Sequence, residues 1–202
     1  MGKVVVSEFI TLDGVATDPG GAEGQQGGGW AFKFSRGEVG DKFKYDELMA
    51  SDALLLGRVT YEGFAQAWPS RSGDEFSDKF NNIKFNNMSK YVVSTTLKNP
   101  TWKNSTVIGR DVKGAITKLK KEIKGDILVN GSIQLVRTLV ELDLVDEYRL
   151  MVYPTVVGAG KKLFGDTSGP VGFELAEPIK AGDTVILQFV PIGTRDRRGG
   201  DA

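Results

Sequence analysis

The chain has 202 residues, of which 26 are Lys or Arg and 26 are Asp or Glu, and it contains neither cysteine nor histidine. Those two absences exclude disulfide frameworks, cysteine- or histidine-based zinc sites, thiolate nucleophiles and the Ser-His-Asp triad. Acid-base chemistry is left to carboxylates, Lys, Tyr, water or a cofactor. With 40% hydrophobic and 26% charged residues the composition is that of a globular protein. About 200 residues suffice for one buried core, so a single domain over 1–193 is expected, followed by a flexible tail at 194–202. Balanced charge carries no electrostatic footprint for nucleic acid, and the apolar runs are too short to span a bilayer. Glu8 interrupts the N-terminal apolar run early, so this end does not read as a signal peptide and cytoplasmic residence is expected.

A β-branched segment at 3–10 predicts the first strand, which stops at the turn signal Leu12-Asp13-Gly14. Residues 19–29 follow, six of the eleven being glycine. Such a segment cannot pack a core, and it is expected to be a mobile loop covering a ligand site. Apolar periodicity predicts a helix at 38–49, a buried strand at 53–56, and helices at 60–67 and 74–83. Strands are expected at 90–94 and 106–108, a helix at 112–124, a strand at 127–129 and a helix at 133–142. A strand at 147–153 and a hairpin of 173–179 with 184–191 complete the chain. Strands alternate with helices up to about residue 145 and strands alone follow, which implies a mostly parallel sheet covered by helices with an antiparallel hairpin at its edge.

Two apparent nucleotide motifs fail on inspection. Gly158-Ala159-Gly160-Lys161-Lys162-Leu163 lacks the third glycine and the following helix of a dinucleotide fingerprint, and Gly160-Lys161 lacks the Ser or Thr of a P-loop. Three strand-to-helix turns carry a better signal. Gly57-Arg58-Val59-Thr60-Tyr61-Glu62 places a cation and a hydroxyl at a helix N-terminus, Ser94-Thr95-Thr96 with Lys98 follows a buried strand, and Asn130-Gly131-Ser132-Ile133 opens a further helix. Each alone reads equally as capping, as Ser132 does for the helix at 133–142. Together they lie at the carboxyl ends of parallel strands, where open α/β sheets bind ligands.

These turns, with Thr11-Leu12-Asp13-Gly14, Val129-Asn130-Gly131-Ser132, Leu144-Val145-Asp146-Glu147-Tyr148-Arg149-Leu150 and the segment 154–164, occur in the order of the dihydrofolate reductase superfamily. The chain most resembles the reductase domain of the bifunctional riboflavin-biosynthesis deaminase-reductase and its stand-alone bacterial relatives, over roughly residues 3–191. The resemblance implies an α/β, three-layer fold with about eight strands, a homodimer, and an NADPH-dependent reductase acting on a small heterocycle such as 5-amino-6-(5-phosphoribosylamino)uracil. A dihydrofolate or pterin reductase, and a nucleotide-binding protein without turnover, remain open as alternatives. Carried over by position, Arg58 and Thr60 would meet cofactor phosphate. Ser94 and Thr95 would lie at the adenosine ribose and its 2′-phosphate, with Lys98 as a second cation, and Gly131, Ser132 and Ile133 would hold the pyrophosphate. The zinc deaminase of the bifunctional enzymes is excluded, since its motifs require His and Cys.

Reduction also needs a proton. Asp41, 16 residues before Gly57, is similar in location to the substrate carboxylate of dihydrofolate reductases, although a first-turn acid also suits the helix dipole. Asp13 ends the first strand, where it can equally shape the turn with Gly14. Trp30 is a candidate to stack on a flat substrate or to anchor the glycine-rich loop. Asp126, Asp143, Asp146 and Glu147 read as solvated surface charges.

Overall fold

The computed structural model describes residues 1–70, 84–165 and 170–192. The helix expected at 74–83 and the tail at 194–202 lie outside the described residues. β1 (Val4–Thr11), β2 (Ser51–Gly57), β3 (Ser89–Val93), β4 (Ser105–Ile108), β5 (Asp126–Val129), β6 (Glu147–Tyr153), β7 (Phe173–Leu175), β8 (Ile179–Ala181) and β9 (Thr184–Pro191) form one sheet. Its order is β4-β3-β2-β5-β1-β6-β9-β7, and β8 also pairs with β9. From β4 to β6 every pairing is parallel, and β9 runs antiparallel to β6, β7 and β8. Among the described residues the sheet thus has nine strands, in line with the expected sheet of about eight. The expected single strand at 173–179 is two short ones, both laid against β9.

Parallel strands need crossovers, and those crossovers cover both faces. β2 shows the consequence: Ala53, Leu54, Leu55 and Leu56 are all fully buried, although neighbouring residues of a strand point to opposite faces. On one face Val4, Val6, Ile127 and Val129 pack with Ile116 and Leu119 of α3 (Val112–Glu122) and Val136 and Leu139 of α4 (Ile133–Glu141). On the other, Val5, Leu54, Leu56 and Leu128 pack with Leu48 of α1 (Gly37–Ala50) and Tyr61 of α2 (Arg58–Ala67). A third cluster joins Trp30 and Ala31 to Met151, Tyr153, Ala181 and Ile186. Each large aliphatic side chain so buried contributes roughly 1.5–3 kcal/mol against exposure.

Charge is also built into the α1 face. Glu47 of α1 is buried and accepts from the Ser7 hydroxyl at 3.0 Å and from the Lys44 ammonium, while Lys44 donates to Ser7 Oγ at 2.7 Å. Arg149 of β6 reaches Glu47 at 3.6 Å, Glu147 at 2.7 Å and Asp126 at 3.2 Å. Burial opposes the charge on Arg149, but the hydrogen bond to Glu147 and the fields of Glu147, Glu47 and Asp126 outweigh it and raise its pKa. Asp126 and Glu147, expected to be solvated, belong to this network because β5, β1 and β6 are adjacent. Asp146 likewise turns inward, accepting from the Val4 amide at 2.8 Å and from Lys120 at 2.8 Å.

The glycine-rich loop is organised around a residue that precedes it. Asp18 is 1% exposed with φ +52°. Its carboxylate accepts the amides of Glu23 at 2.9 Å and Gln25 at 3.1 Å, and its carbonyl accepts those of Gly21 and Gly29. Gly28 passes so close that a Cβ there would lie 2.2 Å from Asp18 Oδ2. Gln25 Nε2 bonds the Ala159 carbonyl, tying the loop to the segment after β6. One buried acid thus gives the loop a set of bonds that its glycines cannot supply.

Replacing Arg149 with Leu leaves Glu47, Glu147 and Asp126 without their shared counter-charge, and urea unfolding should show a loss of about 3 kcal/mol. Asp18→Ala removes the acceptor around which 19–29 folds. Limited proteolysis should then cleave within that segment at least tenfold faster than in the wild type, with the melting temperature of the sheet little changed.

Candidate functional site

At the carboxyl ends of β2 and β5 two strand-to-helix turns lie in contact. The Gly57 amide donates to the Gly131 carbonyl at 3.3 Å. A Cβ on Gly57 would stand 2.1 Å from Ser132 Oγ, and one on Gly131, whose φ is +90°, would stand 2.8 Å from Thr60 Oγ1. The residues at 57 and 131 are glycine because any side chain there would drive the two turns apart. The Gly131–Ser132 peptide is cis.

Beside this contact opens a cleft of about 360 Å³. Val93, Ile108, Val112 and Leu135 give it apolar walls, and Arg58, Ser94, Thr95, Thr96, Ser132 and Thr138 its polar groups. No side chain caps the start of α2, so the amides of its first turn remain available. α4 starts from Ser132, whose hydroxyl accepts from Leu135 N at 3.4 Å. After β3, Ser94 Oγ accepts the amides of Thr96 at 3.1 Å and Leu97 at 3.0 Å, which curls that turn over the end of the strand. Arg58, held by Glu62 at 2.8 Å and half-exposed, stands at the rim. An apolar slot beside two helix N-termini, a guanidinium and several hydroxyls suits a flat heterocycle joined to phosphates. Among the described residues there is no group of three or more acidic side chains that could hold a metal ion.

The structure brings Arg58, Ser94, Thr95 and Ser132 together at this cleft. Thr60 and Gly131 lie against one another in the contact beneath it, and Ile133 packs partly against the core. Lys98 is exposed and does not line the cleft. Asp41 is exposed on α1, its carboxylate accepting from Arg36 Nε at 2.5 Å. Asp13 accepts from Thr11 Oγ1 at 2.5 Å and from the amides of Gly158 at 2.9 Å and Val157 at 3.3 Å. The Thr11 hydroxyl, then those amides, hold its carboxyl below the usual range. That geometry clamps the β1 turn to the chain after β6 and disfavours a proton-donating role. Trp30, expected beside the substrate, is 1% exposed, donates to the Thr17 carbonyl at 3.0 Å and meets Tyr153 edge-on. Its ring anchors the glycine-rich loop, and no face is left open for stacking.

Sequence reasoning missed the apolar walls of the cleft and the end of β4, where Ile108 and Gly109 contribute. The turn signal Gly109-Arg110-Asp111 was the available clue. It also passed over Glu8, the charged residue in the middle of β1.

The geometry agrees with the comparisons to known proteins. The family model for the RibD C-terminal domain matches residues 2–187. The uncharacterized protein YyaP of Bacillus subtilis (strain 168) is 30% identical over 130 residues, covering 64% of this chain and 68% of that one. Among solved structures, RibD of Acinetobacter baumannii superposes with a TM-score of 0.68 at 17% identity over 95% of this chain, which spans only 58% of the longer Acinetobacter chain. Dihydrofolate reductase from Enterococcus faecalis complexed with NADP(H) superposes with a TM-score of 0.59 at 13% identity, covering 95% of this chain and 98% of that one. The fold is that of the dihydrofolate reductases, and the chain belongs to the RibD C-terminal domain family.

Proposed function

We propose that the protein is an NADPH-dependent reductase of a small heterocyclic substrate of the riboflavin-pathway type. The observation that carries this reading is the meeting of three strand-to-helix turns around one apolar slot. Membership of the RibD C-terminal domain family supports reduction as the reaction class. The adenine fits between Val93, Ile108, Val112 and Leu135, and Ser94 and Thr95 reach its ribose. The 2′-phosphate pairs with Arg58, and the pyrophosphate takes the open amides at the starts of α2 and α4. NADPH is favoured over NADH because the lining residues include a guanidinium and no carboxylate to receive a free 2′-hydroxyl. When bound, the cofactor supplies the hydride. The chain supplies position: the Gly57–Gly131 contact sets the spacing of the two helix starts.

Titration calorimetry with NADPH and NADH tests the assignment. Arg58→Ala should weaken NADPH binding about 10- to 100-fold, the worth of a charge-assisted hydrogen bond, and leave NADH within about threefold. Equal effects on both cofactors, or none on NADPH, would overturn it. Oxidation of NADPH in the presence of 5-amino-6-(5-phosphoribosylamino)uracil, and not of dihydrofolate, is the expected substrate preference. Turnover of dihydrofolate that is lost in Asp41→Asn would instead assign a folate substrate.

A further inference from the structure

We propose, resting on the reductase reading above, that Glu8 of β1 faces the nicotinamide end of the cofactor site and donates the proton that the reduction consumes. The sheet order points to it. The cleft begins at the ends of β4 and β3, passes β2 at Gly57 and reaches the β5 turn at Ser132. The next strand along this line is β1. Four strand spacings separate β4 from β1, roughly 19 Å at ~4.8 Å each, a span suited to a dinucleotide rather than a mononucleotide. The last paired residues of β1 and β5 are Val6 and Val129, after which β1 leaves β5 and runs on past the Asn130-Gly131-Ser132 turn, still paired with β6. Asn130 Nδ2 bonds the Ser7 carbonyl at 3.0 Å and holds that turn against β1. Continuing the register sets Glu8 beside Gly131.

The state of the side chain is as informative as its place. Glu8 Oε1 is sealed from solvent and has no hydrogen-bond partner. An unpaired buried polar atom is costly, and on the same face of β1 the chain uses Val4, Val6 and Ile10. Burial pushes the Glu8 carboxyl up to about 8, against the opposing pull of Lys44 and the Gly131 amide and with a further push from Glu47 and Glu23. The charges whose fields reach it are Lys44 and Glu47 of α1, from across the sheet, and Glu23 of the glycine-rich loop. Near neutral pH Glu8 is a carboxylic acid, and an acid with pKa close to the working pH suits proton donation. The cofactor would supply hydride to the carbon of a C=N or C=O bond, and Glu8 would give its proton to the heteroatom as the π electrons move there. The carboxylate would regain a proton from solvent once product leaves and the site opens.

The test compares NADP⁺, whose nicotinamide ring is cationic, with 2′-phosphoadenosine 5′-diphosphoribose, which lacks the ring. A carboxyl beside the ring ionises more easily when NADP⁺ binds. Wild-type affinity for NADP⁺ should therefore gain about tenfold, relative to the ring-less ligand, between pH 6.5 and 9.5, and Glu8→Gln should abolish that gain. Single-turnover oxidation of NADPH with whichever of the two substrates named above the wild type reduces should slow at least 100-fold in Glu8→Gln, while the wild-type rate falls above about pH 8. If Glu8→Gln does not fold, the carbon-13 titration of the wild-type Glu8 carboxyl replaces it, with a fall of about one unit expected on adding NADP⁺. A relative NADP⁺ affinity independent of pH, a gain that survives in Glu8→Gln, a carboxyl titration unmoved by NADP⁺, or an unslowed variant overturns the role of Glu8 and leaves the cofactor assignment standing. Failure of the wild type to bind NADP⁺ and NADPH, or to oxidise NADPH with either substrate, overturns both readings.

Discussion

The arrangement at the carboxyl end of the sheet depends on one close approach, that of Gly57 to the Gly131-Ser132 turn. β2 and β5 are neighbours, and each runs directly into a helix. Two such turns ordinarily keep the width of their side chains between them. Here the missing Cβ atoms let the Gly57 amide reach the Gly131 carbonyl and put Ser132 Oγ where a methyl group would have stood. The starts of α2 and α4 are thereby drawn together at one side of a shared slot. Two helix N-termini drawn together in this way offer their positive ends to the same space.

The strand beside that contact is unusual in carrying polar side chains on both faces. On the α1 side Ser7 joins Lys44, Glu47 and Arg149 in a network that is largely paired. On the other, Glu8 has an oxygen with no partner. The difference is one of compensation. Opposite charges and a hydroxyl pair most of the first group, with Glu47 Oε1 reached by Arg149 at 3.6 Å, which suits a role in fixing α1 against β1 and β6. At Glu8 burial outweighs the pull of Lys44 and the Gly131 amide, and a neutral acid is the form such an environment favours.

Legibility from sequence followed the range of the interactions involved. The β2 run of Ala53 to Leu56 and the apolar periodicity of α4 reflect local patterns of burial, and both appear where periodicity places them. The division of the last hairpin into β7 and β8 was not legible, because both pieces are defined only by pairing with the distant β9. Arg58, Ser94 and Ser132 were recognisable as turn residues, each by its own neighbours. Trp30 was ambiguous for the opposite reason: a tryptophan beside glycines suits a stacking platform or an anchor, and the choice was made by Tyr153 from the other end of the chain.

By itself the sequence determined what chemistry is absent, since no fold can supply an imidazole or a thiol to a chain without His and Cys. It also determined the alternation of strands and helices and the residues offered at each turn, because these depend on neighbours within a few positions. Only the tertiary structure decided which turns share a cleft, that Asp18 orders the glycine-rich loop, that Asp13 bonds the chain after β6, and that an oxygen of Glu8 is buried without a partner. Each of those outcomes rests on contacts between segments far apart in the chain, and on a buried environment that exists only once the sheet has closed.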